Sequence, residues 1–484
     1  MHRSILALLL AAAPLASPNA APVDGAAPEV DWMKVTLDGR KIGQLESRTE
    51  RNGDRVTSIE RMSLVIDRGG VSLPVQTEER STETADGKPL SFASKLTFSG
   101  LATETEGTIG DGGKVSVVTR SAGREDRREL DWPAGAVLAH GARLAEEKNG
   151  LAPGTTYHVL AFQPSDLTAI PVDVRIVSRG KVRLDDHEED LVEVEQRADL
   201  LGSPFTMKAW ITPEHEVRKS VLPLLGLELV MLACDEACAN APNQPADILE
   251  HAVVRAPAAL TPALRRDGVR YRIAVRGAEP PRLPDTGEQK VTGEPRELRV
   301  DVDPTPESFD RSAPEADERG PNRWVESDDA GIMKMAKEVA GNAKDDGERM
   351  RRFERQVSEY ITNKSMRVGY ASARETLRSR EGDCTEHAVL LAALARAQGI
   401  PARVVNGLAY APSFAGYKRA FIPHAWVQAY VDGAWHSYDA ALGAFDAGHI
   451  ALSLGSGEAS GFYAGVSLLG NLEVLDAQPL PASH

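Results

Sequence analysis

Four things are scarce in this chain of 484 residues. It has three cysteines, no surplus of basic charge, no internal repeat, and no long apolar run beyond its first 21 residues. Each shortage excludes something. Lys and Arg number 56 against 71 Asp and Glu, a net charge of -15, so no basic surface is expected to neutralise phosphates. Nucleic acid is therefore not an expected partner. The apolar stretch Leu222–Ala233 is broken by Pro223, Gly226 and Glu228, whereas a bilayer needs about 20 apolar residues, so no transmembrane segment is expected. No His-rich tract or second cysteine pair accompanies Cys234 and Cys238, so a tetrahedral metal set is left incomplete. Neither a metal nor any other cofactor is expected. Apolar residues at 42% and charged residues at 26% are ordinary for globular protein, and the length predicts two or three domains.

What is present begins with an export pattern. Met1-His2-Arg3 is a short basic start, Ile5–Leu15 is apolar, and small residues continue to Ala21. That layout predicts a signal peptide over 1–20, and hence a periplasmic or secreted protein; a buried core helix is the alternative. No cysteine follows at which a lipid could be attached. In an oxidising compartment Cys234 and Cys238, four residues apart, are expected to form a local disulfide, with two free thiols or a metal pair as alternatives. Cys384 is left over, and an odd thiol in an exported protein is a candidate reactive group.

The fold class read from these patterns is multidomain, a mainly antiparallel β region followed by an α+β region. Over 30–240, turn signals recur at Asp38-Gly39, Asn52-Gly53, Gly69-Gly70 and Asp86-Gly87 between alternating stretches, which predicts a β-rich domain. A short helix is placed near Leu138–Lys148. Residues 245–322 form a connecting region with a β-rich patch at Asp267–Gly277 and Glu297–Asp303, and with loops at Pro280–Gly293 and Pro304–Asn322. A third domain occupies 323–478. It opens with amphipathic helices at Asp329–Gly341 and Asp345–Asn363, and Ser372 to Glu375 reads as a capping box.

The chemistry is concentrated after Arg380. Asp383 and Glu386 have the spacing of an N-cap and its reciprocal partner, which puts Cys384 at the first position of a helix. Ala388–Ala397 is apolar almost all round, so that helix is expected to be buried, and Gly399-Ile400-Pro401 ends it. The electropositive end of a buried helix favours thiolate. Downstream, Asp432-Gly433 predicts a tight hairpin in which Val431 faces Ala434 and Trp426 faces Asp439. His424 then lies diagonal to Asp439, within side-chain reach. Cys384 as nucleophile, His424 as base and Asp439 as its orienting carboxylate make a candidate triad. Each has a duller reading as a packed residue, and His387, one turn past Cys384, is expected to pack or hydrogen-bond. Cys384, His387, His424 and Asp439 as a metal set is a further alternative.

The stretch Ser372–Asp439, with Gly-Asp-Cys-Thr-Glu-His, Gly-Ile-Pro-Ala-Arg, His-Ala-Trp and Trp-His-Ser-Tyr-Asp, resembles the transglutaminase-like domains of bacterial exported proteins. Ala441-Leu442-Gly443 and Gly448-His449-Ile450 also suit that family. The resemblance covers about 320–475 and implies a papain-like α+β fold with catalytic roles for Cys384, His424 and Asp439. It implies a peptide or protein substrate and a thioester intermediate. Hydrolysis is the expected outcome, with protein crosslinking by transamidation and a non-catalytic scaffold as alternatives.

Overall fold

The computed structural model describes residues 28–481, apart from 69, 99–100, 122–123, 201–202, 225–226, 277–281, 308, 365–369 and 458–467. The expected signal peptide lies outside the described residues. Two compact units divide the chain near Asp247.

The N-terminal unit is built on one fifteen-stranded sheet. Eight strands follow one another as a meander: β1 (Glu29–Leu37), β2 (Arg40–Asn52), β3 (Arg55–Arg68), β4 (Val71–Thr84), β5 (Pro89–Phe98), β6 (Leu101–Ile109), β7 (Lys114–Ser121) and β8 (Arg124–Asp131). After the short β9 (Ala136–Val137) and helix α1 (Ala139–Asn149) come β10 (Thr156–Gln163), β11 (Thr168–Arg183), β12 (Glu188–Leu200), β13 (Ser203–Ile211), β14 (Val217–Leu224) and β15 (Leu227–Cys234). β15 pairs with β1, so the two series join in the order 8 to 1 and then 15 to 9, antiparallel except where β9 runs beside β10. The tight turns are where glycine was expected, with Gly39, Gly53 and Gly87 all at positive φ. The apolar run Leu222–Ala233 is the β14–β15 hairpin.

The sheet curls around α1, which packs against β3 and β4 on one side and β9 and β10 on the other. Phe92 and Val117, near one end of the strand order, share an apolar cluster with Ala136 and Phe162 near the other. Inside the curve the alternation places a polar row directly across neighbouring strands: Ser47, Glu60, Glu79, Ser94 and Thr105. Glu83 accepts the backbone N–H groups of His140 (2.7 Å) and Gly141 (2.9 Å), satisfying two of the orphan donors at the start of α1.

Cys234 ends β15 and Cys238 lies in the one-turn helix α2 (Glu236–Ala239), capped by Asp235. The expected disulfide is not formed: both are free thiols. Closing that turn as a helix pairs them by hydrogen bonding instead, and burial together with this contact pushes the Cys234 thiol up to about 12.

Among the described residues the C-terminal unit has two sheets. After helix α3 (Leu249–Ala252), strand β16 (Val254–Arg255) and helix α4 (Pro262–Asp267) come β17 (Val269–Val275), β18 (Gln289–Glu294) and β19 (Glu297–Val302). These three pair with one another and with the last strand of the chain. The loop expected over Pro280–Gly293 is therefore shorter, because its end is drawn into pairing with β19. Four helices follow: α5 (Ala330–Ala340), α6 (Asp346–Tyr360), α7 (Ala373–Ser379) and α8 (Cys384–Ala397). They start at Asp329, Asp345, Ser372 and Asp383, and each of these caps accepts a backbone N–H of the first turn. α6 ends at Tyr360, three residues before the expected end, because Ile361 takes an extended backbone. The second sheet orders β16, β21 (Tyr417–Val431), β20 (Ala402–Phe414) and β23 (His449–Gly455), with β22 (Ala434–Tyr438) on β21; the closing strand beside β17 is β24 (Leu472–Pro479). α8 is buried from Thr385 to Arg396 and packs on α5, α6, α7, β20 and β21. Among the described residues no helix is long and apolar enough to cross a membrane.

Candidate active site

Cys384 is the first residue of α8, and both halves of the expected capping box form. Asp383 Oδ1 accepts the Thr385 N–H at 3.0 Å, and Glu386 Oε2 accepts the Asp383 N–H at 2.8 Å. Glu386 also accepts from the Ala371 N–H and the Thr385 hydroxyl, which ties the loop ahead of α7 to the start of α8. Burial and the Asp383 charge nonetheless raise this carboxyl to about 8. A Cβ on Gly382 would come 2.3 Å from the Glu386 side chain, so the turn into the helix requires glycine there. Cys384 packs against an apolar cluster that includes Ala425 and Ala440, the chain neighbours of His424 and Asp439.

The hairpin has the expected register. Asp432 and Gly433 both take positive φ, as a two-residue primed turn demands, and Val431 pairs with Ala434. Ala425, Val427, Ala429 and Val431 are the β21 residues in the cluster with α8. His424 and Trp426 have the opposite parity and stack, with ring centroids 6.3 Å apart. Gly407, paired with His424, lies beneath this pair: a Cβ there would sit 3.0 Å from the Trp426 ring and 2.1 Å from the Ile450 carbonyl oxygen. Trp435 pairs with Tyr430 farther along the same face, where it meets the Tyr430 ring edge-on and lies against the Arg403 guanidinium.

His424 and Asp439 are brought into direct contact, Nε2 to Oδ2 at 2.8 Å, with both side chains 3% exposed or less. A carboxylate only accepts, so Nε2 carries the proton and Nδ1 of the neutral ring is left as the base. Asp439 is held from every side. Oδ1 accepts the N–H groups of Ala441 (2.8 Å) and Leu442 (3.1 Å), and its own N–H donates to Glu354 at 2.7 Å. Burial would push this carboxyl up, but the His424 charge and the hydrogen bonds from two imidazoles outweigh it and hold it well below the usual range.

The second imidazole is His449, whose Nε2 lies 2.9 Å from the same Oδ2. Its Nδ1 is 2.9 Å from the Asp446 carbonyl oxygen and 3.4 Å from the Asp446 carboxylate. Asp446 in turn pairs with Arg265 from α4. Burial opposes a charge on His449, yet the two aspartates raise it to about 9. Sequence reasoning noticed His449 only as part of the family pattern and missed Asp446, Arg265 and Glu354. Arg265 and Glu354 lie on α4 and α6 and Asp446 precedes β23, so no local spacing ties them to Asp439. His387 is buried, with Nδ1 2.6 Å from the Asp383 carbonyl oxygen, and is near enough to Asp439 to feel its charge. The ligand atoms of His424, Asp439 and His449 all lie within 4.8 Å of one another, but the short N···O separations are hydrogen bonds.

Residues 333–440 match the transglutaminase-like superfamily, so the C-terminal α+β unit carries a transglutaminase-like domain. No curated protein matches the chain. Among solved structures it is similar to a candidate cysteine protease from Cytophaga hutchinsonii, at 17% identity and a TM-score of 0.27 over 46% of this chain and 88% of that one. It is also similar to a β-barrel-like protein of a domain of unknown function from Brucella abortus, at 13% identity and a TM-score of 0.35 over 44% of this chain and 98% of that one. A candidate protease from Parabacteroides distasonis matches at 12% identity and a TM-score of 0.19, over 70% of this chain and 64% of that one.

Proposed function

We propose that this protein is an exported thiol enzyme that hydrolyses amide bonds, peptide bonds foremost, with Cys384, His424 and Asp439 as its triad. The observation that carries the reading is the buried His424–Asp439 hydrogen bond beside a helix whose capped, electropositive end bears the cysteine.

In this mechanism Nδ1 of His424 takes the thiol proton, and the sulfur attacks the carbonyl carbon. The C–N bond then breaks, and the leaving amine collects the proton from His424. A thioester remains on Cys384. Water attacks it with His424 again as base, the C–S bond breaks, and acid and thiol are released. An amine in place of that water gives the transamidation reading.

Iodoacetamide labelling at neutral pH tests the assignment without a known substrate. Cys384 should be alkylated faster than Cys234 and Cys238, and His424→Ala should slow it by at least about tenfold. Cys384→Ala should fold normally and lose turnover on a peptide panel. Slow labelling indifferent to His424 would instead favour a non-catalytic scaffold.

A further inference from the structure

Two imidazoles meet on one oxygen of Asp439, and a triad needs only one of them. We propose that His449 is a positioning residue of this site, which shares the Asp439 carboxylate with His424 and, backed by Asp446 and Arg265, holds down the proton affinity of the His424 ring. The proposal rests on the Cys384–His424–Asp439 reading above. His449, Asp446 and Arg265 all lie outside the matched residues 333–440.

The groups follow one another in contact along a chain: Arg265, Asp446, His449, Asp439, His424. His449 is 2% exposed; its Nε2 faces the Asp439 carboxylate, and its Nδ1 faces Asp446, 2.9 Å from the carbonyl oxygen, 3.3 Å from the backbone N–H and 3.4 Å from the carboxylate. Its ring centroid is 5.6 Å from that of His424. A positive ring at that distance offsets part of the Asp439 charge that would otherwise stabilise a protonated His424. The chemical consequence falls on the leaving group. An imidazolium that holds its proton less tightly is the stronger acid, and expelling an amine requires that proton.

Other titratable groups face this cluster and set its background. Glu288, just ahead of β18, accepts from the Ser437 N–H and Gln428 and is raised to about 7 by burial. Glu354 on α6 is also raised to about 7 by burial, and His387 on α8 senses the Asp439 charge. Tyr271 on β17 donates to the Ala447 carbonyl, and burial holds its hydroxyl well above the usual range, so it adds no charge near neutral pH; Tyr410 on β20 lies beneath the Arg265 guanidinium. Trp426 and Phe445 close the remaining sides of the His449 ring, with centroids 5.1 and 4.9 Å away.

The test uses the full chain and the rate of Cys384 alkylation by iodoacetamide between pH 5 and 10. In the wild type the step that disappears in His424→Ala reports the His424 ring. His449→Gln keeps a donor toward Asp439 but removes the charge, and it should move that step upward by about one pH unit. A role confined to packing would lower thermal stability and leave the step in place. An unmoved step in folded His449→Gln overturns the proposal while the triad stands; labelling indifferent to His424→Ala overturns both. Should His449→Gln fail to fold, nitrogen NMR of the wild-type rings decides. His449, assigned by its contacts with Trp426 and Phe445, should carry protons on both nitrogens through pH 8, and a neutral ring at pH 7 overturns the proposal.

Discussion

Asp439 in the C-terminal unit and the Glu60–Glu79 pair in the N-terminal unit are acids removed from water, and they are driven in opposite directions. Asp439 meets two imidazoles and two backbone N–H groups, and stays ionised. Glu60 and Glu79 face one another across β3 and β4, with serines as their other cross-strand partners. Burial and the Glu79 charge hold Glu60 well above the usual range, and burial followed by the Asp166 charge lifts Glu79 to about 8. The difference teaches that depth alone does not set a carboxyl's charge. The supply of donors does, and the two units differ in that supply.

The sharpest way to break the comparison is Asp439→Ala. It strips the shared acceptor from two buried rings and should cost roughly 3–5 kcal/mol of stability along with fast Cys384 labelling. A urea midpoint like that of the wild type would refute the claim that Asp439 anchors this site.

Acidity should separate the units next. Glu79 is raised, so the unfolded chain loses its proton near 4.5 while the folded chain keeps it to about 8. The stability this contributes is complete below 4.5 and fades as pH climbs toward 8. Asp439 is lowered, so its contribution is present above 3.8 and fades as pH falls below that value. Hydrogen exchange on the full chain, corrected for intrinsic rates, should show β3 and β4 opening first at pH 8 and β21 and β22 opening first at pH 3. Identical opening of both units at the two pH values would dissolve the contrast.

The smallest effect is expected from Glu60→Gln. It removes one acid from a crowded pair, so at pH 8 it should leave stability unchanged or raise it by about 1 kcal/mol, with β3 exchange as the readout. A marked loss would mean that the pair depends on a shared proton or another bond that glutamine cannot replace.

Much of the candidate site was legible in the sequence because its parts are local. Asp383 and Glu386 fix where α8 starts, and Asp432-Gly433 fixes which residues of β21 and β22 oppose each other. Cap and turn chemistry act over two to four residues, so they can be read along the chain. The Cys234–Cys238 pairing was misread for a related reason. Spacing permits a bond, but the geometry of the α2 turn decides whether the sulfurs form one.

The sequence by itself determined a β-rich first half, the capped buried helix at Cys384, and the hairpin that joins His424 to Asp439. Only the tertiary structure decided that β15 closes onto β1, that Glu60 faces Glu79, and that Arg265, Asp446 and His449 gather behind Asp439. These contacts join residues 10 to 202 positions apart through the tertiary fold, which no periodicity records. Their charge states follow from which groups share a buried space, and folding alone assigns that.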